Sequence, residues 1–195
     1  MKPNKKTELD DPRNRLLADG ADLYLNAVTA LIEYQKEVQK KCREVLKNHI
    51  EDYGAAIKPK TQLKTNEIKN GAWPAFDEWD GSWWTLGTHI VRRNVIPAIR
   101  WWEMTCCLEY CLEYEHSKLI CYIGEWYNSR KLAADLYQKF HRLNSEVMID
   151  ANTVWIQAAV DAEERANFDE PLDGLLQEWI RLWKKVGGMK EVFRA

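Results

Sequence analysis

Glu113-Tyr114-Glu115-His116 is a Glu-x-x-His motif, a spacing known from metal chemistry. On a helix, Glu-x-x-His sets a carboxylate and an imidazole one turn apart, as in the half-site of di-metal carboxylate bundles. A full site needs a second such motif and a Glu from each of two further helices. Asp135, His141 and Glu33 are the remaining candidates, and none has that spacing. Glu113 and His116 therefore define the alternative reading: a metal- or small-ligand-binding protein, or an enzyme, with Glu109, His141 and nearby tryptophans lining its site.

The five cysteines are Cys42, Cys106, Cys107, Cys111 and Cys121. Cys107, Cys111 and His116 would offer three zinc ligands, but structural zinc draws on closely spaced pairs in turns, and no second pair exists. The cysteines read as reduced, buried thiols filling a core, with no cofactor. His89 beside Arg92 and Arg93 reads as a solvated basic turn rather than an anion site. No nucleophile elbow, glycine-rich phosphate loop or dinucleotide fingerprint occurs, so no catalytic residue is assigned.

Ten tryptophans are a surplus for 195 residues. Trp73, Phe76, Trp79, Trp83 and Trp84 crowd the segment GAWPAFDEWDGSWW, and Trp101 and Trp102 follow. Large aromatics dominate interfaces and ligand pockets, so this segment is a candidate interaction surface. The alternative is that the rings fill gaps between helices.

The elements expected to position these groups are helical. Residues 97–126, dense in aromatics and cysteines, carry two apolar stripes at spacings of three and four, as in a central helix packed on both sides. A first long helix over 21–54 carries a heptad-like seam through Tyr24, Val28, Leu31, Gln35, Val38, Cys42, Val45, His49 and Asp52, the pattern of a coiled coil. Leu31, Gln35, Val38 and His49 are its candidate contact residues, with Gln35 and His49 setting register. Residues 55–70 read as a connecting loop. Pro97 either kinks the central helix or opens it behind an Asn94 cap. A further helix is expected over 129–164. A last one should begin near Asp169 and Pro171 and stop at Gly187-Gly188.

The expected fold is thus all-α: an antiparallel bundle of four to five long helices without a sheet. It comprises a polar arm over 1–20, one domain over 21–187 and a tail over 188–195. Net charge is −2 and basic residues alternate with acids, which argues against a nucleic-acid partner. No stretch reads as a membrane span, and MKPNKKTELDD lacks the apolar core of a secretory signal, so a cytoplasmic location is expected. The functional expectation is a non-enzymatic protein acting through other protein chains, including its own copies, as a homo-oligomer. A second alternative is a scaffold or coat on an apolar or membrane surface, associated peripherally.

Overall fold

The computed structural model describes residues 12–74, 83–113, 116–160 and 167–194. Within these, side chains are described except for 12–18, 31, 72–74, 83–84, 110–113 and 116–118. The chain divides into two units, residues 1–37 and 38–195, and helix α1 (Pro12–Ile57) begins in the first and ends in the second.

The second unit is built on a sheet, which overturns the all-α bundle. Six antiparallel strands lie in the order β1-β2-β3-β4-β6-β5. They are β1 (Lys69–Pro74), β2 (Trp83–Ile96), β3 (Ile99–Glu113), β4 (His116–Tyr127), β5 (Met148–Asp150) and β6 (Thr153–Val160). Helix α2 (Arg130–His141) connects β4 to β5, and α3 (Asp169–Val186) with the short α4 (Met189–Val192) ends the chain.

The stretch 97–126, expected as one central helix, is instead the β3–β4 hairpin. Its residues alternate between two faces, as the period-two geometry of a strand requires. Trp102, Met104, Cys106 and Leu108 of β3 point to one side, with Leu119, Cys121, Ile123, Glu125 and Tyr127 of β4 beside them; all are buried. Leu86, Thr88 and Ile90 of β2 and Val154, Ile156 and Val160 of β6 complete this inner face. Pro97 neither kinks nor starts a helix. Pro97-Ala98 forms the tight turn of the β2–β3 hairpin, where Ile96 pairs with Ile99, and a fixed φ suits that position. Asn94, expected as a cap, has φ 52° at the register shift between Arg93 and Ile96, a left-handed conformation that Asn tolerates.

The expected helix over 129–164 stops at His141, and the chain returns as β5 and β6 around a turn at Ala151. The last helix matches its expected signals. Asp169 and Glu170 supply negative charge to the first turn, and Gly187, at φ 84°, closes the C-terminus in the left-handed conformation.

From Val38 onward, the face of α1 formed by Val38, Cys42, Val45, Leu46, Ile50, Tyr53 and Ile57 is buried. The coiled-coil reading of that part is therefore corrected. Its stripe packs within the sheet-bearing unit: the Cys106 thiol lies 3.8 Å from the Cys42 carbonyl, and Tyr53 stacks on Trp102 at 6.2 Å. A stripe at spacings of three and four fits a sheet as well as another helix. His49, expected to set register between helices, bonds Asp173 of α3 at 2.7 Å, and Lys41 reaches Asp169 at 3.0 Å.

Candidate functional site

The sheet presents two faces, and each holds carboxylates in a different setting. On the inner face, Glu125 of β4 is fully buried. Its Oε1 accepts hydrogen bonds from the Tyr53 hydroxyl at 2.6 Å, the Trp179 indole at 2.7 Å and the Trp183 indole at 2.6 Å. Its Oε2 accepts from the Trp102 indole at 2.8 Å and from the Tyr127 hydroxyl. Five neutral donors from α1, β3, β4 and α3 thus converge on one carboxylate. Trp179 and Trp183 are one helical turn apart and so reach the same point. Phe140 of α2 holds both indoles edge-on, at 4.9 and 5.1 Å. Burial, followed by the nearby Glu125 charge, pushes the Tyr53 and Tyr127 hydroxyls well above the usual phenol range, so both keep their protons and donate. With all five donors turned toward it, Glu125 joins helices to sheet.

The other face carries Thr85, Gly87, His89, Val91 and Arg93 of β2, then Trp101, Glu103, Thr105, Cys107 and Glu109 of β3. Ile120, Tyr122, Gly124 and Trp126 of β4 and Thr153, Trp155 and Gln157 of β6 continue it. A trough of about 410 Å³ runs across it, walled by Trp101, Tyr122 and Trp126, with Glu103 and Glu109 inside. The Glu103 carboxylate bonds the His89 ring at 2.9 Å. Glu109 receives the Thr85 hydroxyl at 3.4 Å, and burial pushes its carboxyl above the ordinary range. Two positions of this face are glycines whose close neighbours leave no room for a side chain. A Cβ on Gly87 would sit 2.3 Å from the Cys106 carbonyl oxygen, and one on Gly124 would sit 2.5 Å from the Tyr122 hydroxyl. Arg93 lays its guanidinium 4.9 Å from the Trp101 ring centroid at the rim.

The motif residues occupy other places than a helical reading expects. Glu113 ends β3 and His116 begins β4, so they are a cross-strand pair at the hairpin tip rather than neighbours on a helix. Their side chains lie outside the described residues, as does that of Cys111. Glu109 lies on the open face, whereas His141 ends α2, stacked on Tyr137 at 4.9 Å, with its ring bonded to the Val147 carbonyl at 3.2 Å. The fold does not bring those two together.

Of the tryptophan-rich segment, Phe76 and Trp79 lie outside the described residues. Trp73 of β1 pairs with Thr85, and Trp83 and Trp84 open β2, without described side chains. In α1 the side chain of Leu31 is likewise outside the description, Gln35 is half-buried, Val38 is fully buried and His49 is half-buried. Arg92 is no part of an anion site: it clamps Glu67 through two nitrogens, at 2.8 and 2.5 Å, and holds the Thr61 and Gln62 carbonyls. Cys42, Cys106, Cys107 and Cys121 are buried free thiols.

Sequence reasoning missed Glu125 altogether. The available signal was stoichiometric: buried indole N–H groups need acceptors, and a Glu inside the apolar run LICYIGEWY is one. Scanned against protein-family models, curated proteins and solved structures, the chain matches none.

Proposed function

We propose that this is a non-enzymatic protein that assembles with a second copy of itself through the first half of α1. The observation that carries this reading is the exposure of large apolar side chains there: Leu23 at 71%, Tyr24 at 69%, Leu25 at 59% and Ile32 at 46%. Contiguous exposed apolar surface of this kind marks contact sites. Leu25, Val28 and Ile32 follow one another at spacings of three and four, and so share one face of the helix.

No helix among the described residues is long and apolar enough to cross a membrane. The free thiols at Cys42, Cys106, Cys107 and Cys121 fit a reducing compartment, so the location we assign is cytoplasmic.

Sedimentation velocity tests the pairing on the full chain. The unmodified protein should run as a dimer at tens of micromolar. Leu25→Glu with Ile32→Glu should yield a monomer with an unchanged far-UV spectrum, since neither residue is in the core. A monomeric unmodified protein, or a dimeric double variant, overturns the reading.

A further inference from the structure

The strand register gathers a carboxylate, two indoles and three hydroxyls at the end of the open face nearest the β2–β3 turn. Glu103 of β3 stands directly opposite Trp126 of β4, and Trp126 directly opposite Thr153 of β6. Neighbouring strands lie about 4.8 Å apart, so this row of three spans roughly 10 Å. Thr105 and Gly124 face each other at the next positions along the same face, and the Tyr122 hydroxyl reaches over Gly124 toward the row. Trp101, two residues from Glu103, bounds the other side. We infer that this cluster binds a neutral sugar ring with equatorial hydroxyls, its C–H face on Trp126 and its hydroxyls on Glu103, Thr105, Thr153 and Tyr122. Glu109 lies about 20 Å further along β3 and is no part of the site.

The hydrogen-bonding capacity of the cluster selects the ligand chemistry. The His89 ring bonds one oxygen of the Glu103 carboxylate at 2.9 Å, and the other oxygen takes no hydrogen bond among the described residues. The hydroxyls of Thr105, Thr153 and Tyr122 line the trough, also without a hydrogen-bond partner among the described residues. A carboxylate oxygen only accepts, whereas a hydroxyl both donates and accepts. An ammonium head only donates and an anionic group only accepts, so neither answers the whole set. A ligand carrying several hydroxyls does.

The layout selects the shape. Trp126, still 36% exposed, holds the middle of the row, with Glu103 on one side and Thr153 on the other. An apolar centre inside a polar rim is the complement of a pyranose whose hydroxyls are equatorial, with C–H groups on its faces and hydroxyls round its edge. Those C–H groups are weakly positive and suit the negative face of an indole, and covering them removes apolar surface from water. A flat aromatic ligand would use Trp126 and leave the rim unmatched. Tyr122 is positioned for its part by stacking on Trp155 at 6.1 Å. Glycine at 124 makes room for its hydroxyl, since a Cβ there would sit 2.5 Å from it.

Saturation-transfer NMR on the full chain tests the inference. The probe is methyl β-D-glucopyranoside, and the control is tetrahydropyran-2-methanol, the same ring without its ring hydroxyls. The glucoside should bind saturably, receive most transfer at its ring C–H protons, and bind about tenfold more tightly than the control. Trp126→Ala should abolish saturable binding, and Glu103→Gln should weaken it about fivefold by removing charge assistance. Both positions are partly exposed, so each variant should keep the parent's melting temperature. Should one variant fail to fold, the other and the comparison with the control decide. No saturable transfer to the glucoside, equal binding of the control, or undiminished binding in a folded Trp126→Ala or Glu103→Gln variant overturns the inference.

Discussion

Replacing Glu125 with glutamine exchanges one oxygen for an amide group at almost constant volume, so its effect is electrostatic. The amide nitrogen cannot sit at Oε1, where Tyr53, Trp179 and Trp183 all donate; it must face Trp102 and Tyr127. The Tyr127 hydroxyl can rotate and accept from the amide, but the Trp102 indole can only donate. That orphaned N–H costs roughly 1–3 kcal/mol. The three bonds kept at the carbonyl oxygen lose their charge assistance, about 1 kcal/mol each. Removing a buried charge returns part of this, because a lone carboxylate in a core is costly. The return is limited, since the five donors stay buried and aimed at the same point. The expected net loss is about 3 kcal/mol. At an m-value of ~2 kcal/mol/M, that lowers the urea midpoint by about 1.5 M. A double-mutant cycle separates the mechanism from general damage. Trp102→Phe destabilises the native protein, but in the Glu125→Gln background it removes the orphan and should recover ~1 kcal/mol or more of coupling. A Glu125→Gln midpoint within about 0.5 M of the parent, or strict additivity with Trp102→Phe, would refute the reasoning.

Other consequences can be checked with simple measurements. Burial pushes the Cys121 thiol up to about 12, and Cys106, Cys107, Tyr53 and Tyr127 well above their usual values. Above about pH 9 for the thiols and about pH 10 for the tyrosines, the unfolded chain therefore sheds protons that the folded chain keeps, and stability falls by ~1.4 kcal/mol per pH unit for each such group. Unfolding followed by far-UV signal should become steep and complete near pH 11, and a protein equally stable at pH 8 and pH 11 would contradict this. At neutral pH the thiols of Cys42, Cys106, Cys107 and Cys121 should stay silent to a thiol reagent until urea is added; labelling all four at the unfolded rate in native buffer would contradict their burial. The Thr88 hydroxyl is buried without a hydrogen-bond partner among the described residues. Thr88→Val should raise stability by about 1 kcal/mol in a urea titration, and a loss of that size would mean the hydroxyl is satisfied.

The β3–β4 hairpin shows why the sheet was hidden in the sequence. The inner parity of β3, Trp102, Met104, Cys106 and Leu108, is apolar, as a half-buried strand predicts. The outer parity should then be polar, but Trp101, Cys107, Tyr122 and Trp126 make it nearly as apolar. Once both parities are apolar, a stripe at spacings of three and four can be drawn through the segment as readily as one at two. Glu125 deepens the ambiguity by placing a charge on the inner parity of β4. The first helix was legible as a helix, since its stripe from Val38 to Ile57 is real, but an amphipathic stripe does not say whether a sheet or a helix covers it. The last helix was legible at both ends because its signals, acidic first turn and paired glycines, act within a single turn of backbone.

Glu125 and Glu109 lie on adjacent strands of one sheet, on opposite faces, and their settings differ. Glu125 is the more deeply buried, and its charge is met by five donors from four elements, α1, β3, β4 and α3. Glu109 is only half-buried, yet one long hydrogen bond is all the described chain gives it. A carboxylate's two oxygens offer about four acceptor positions. At Glu125 these are filled, whereas at Glu109 the described residues fill one. Binding free energy comes from interactions the free protein has not already made, so depth of burial does not by itself mark a ligand site.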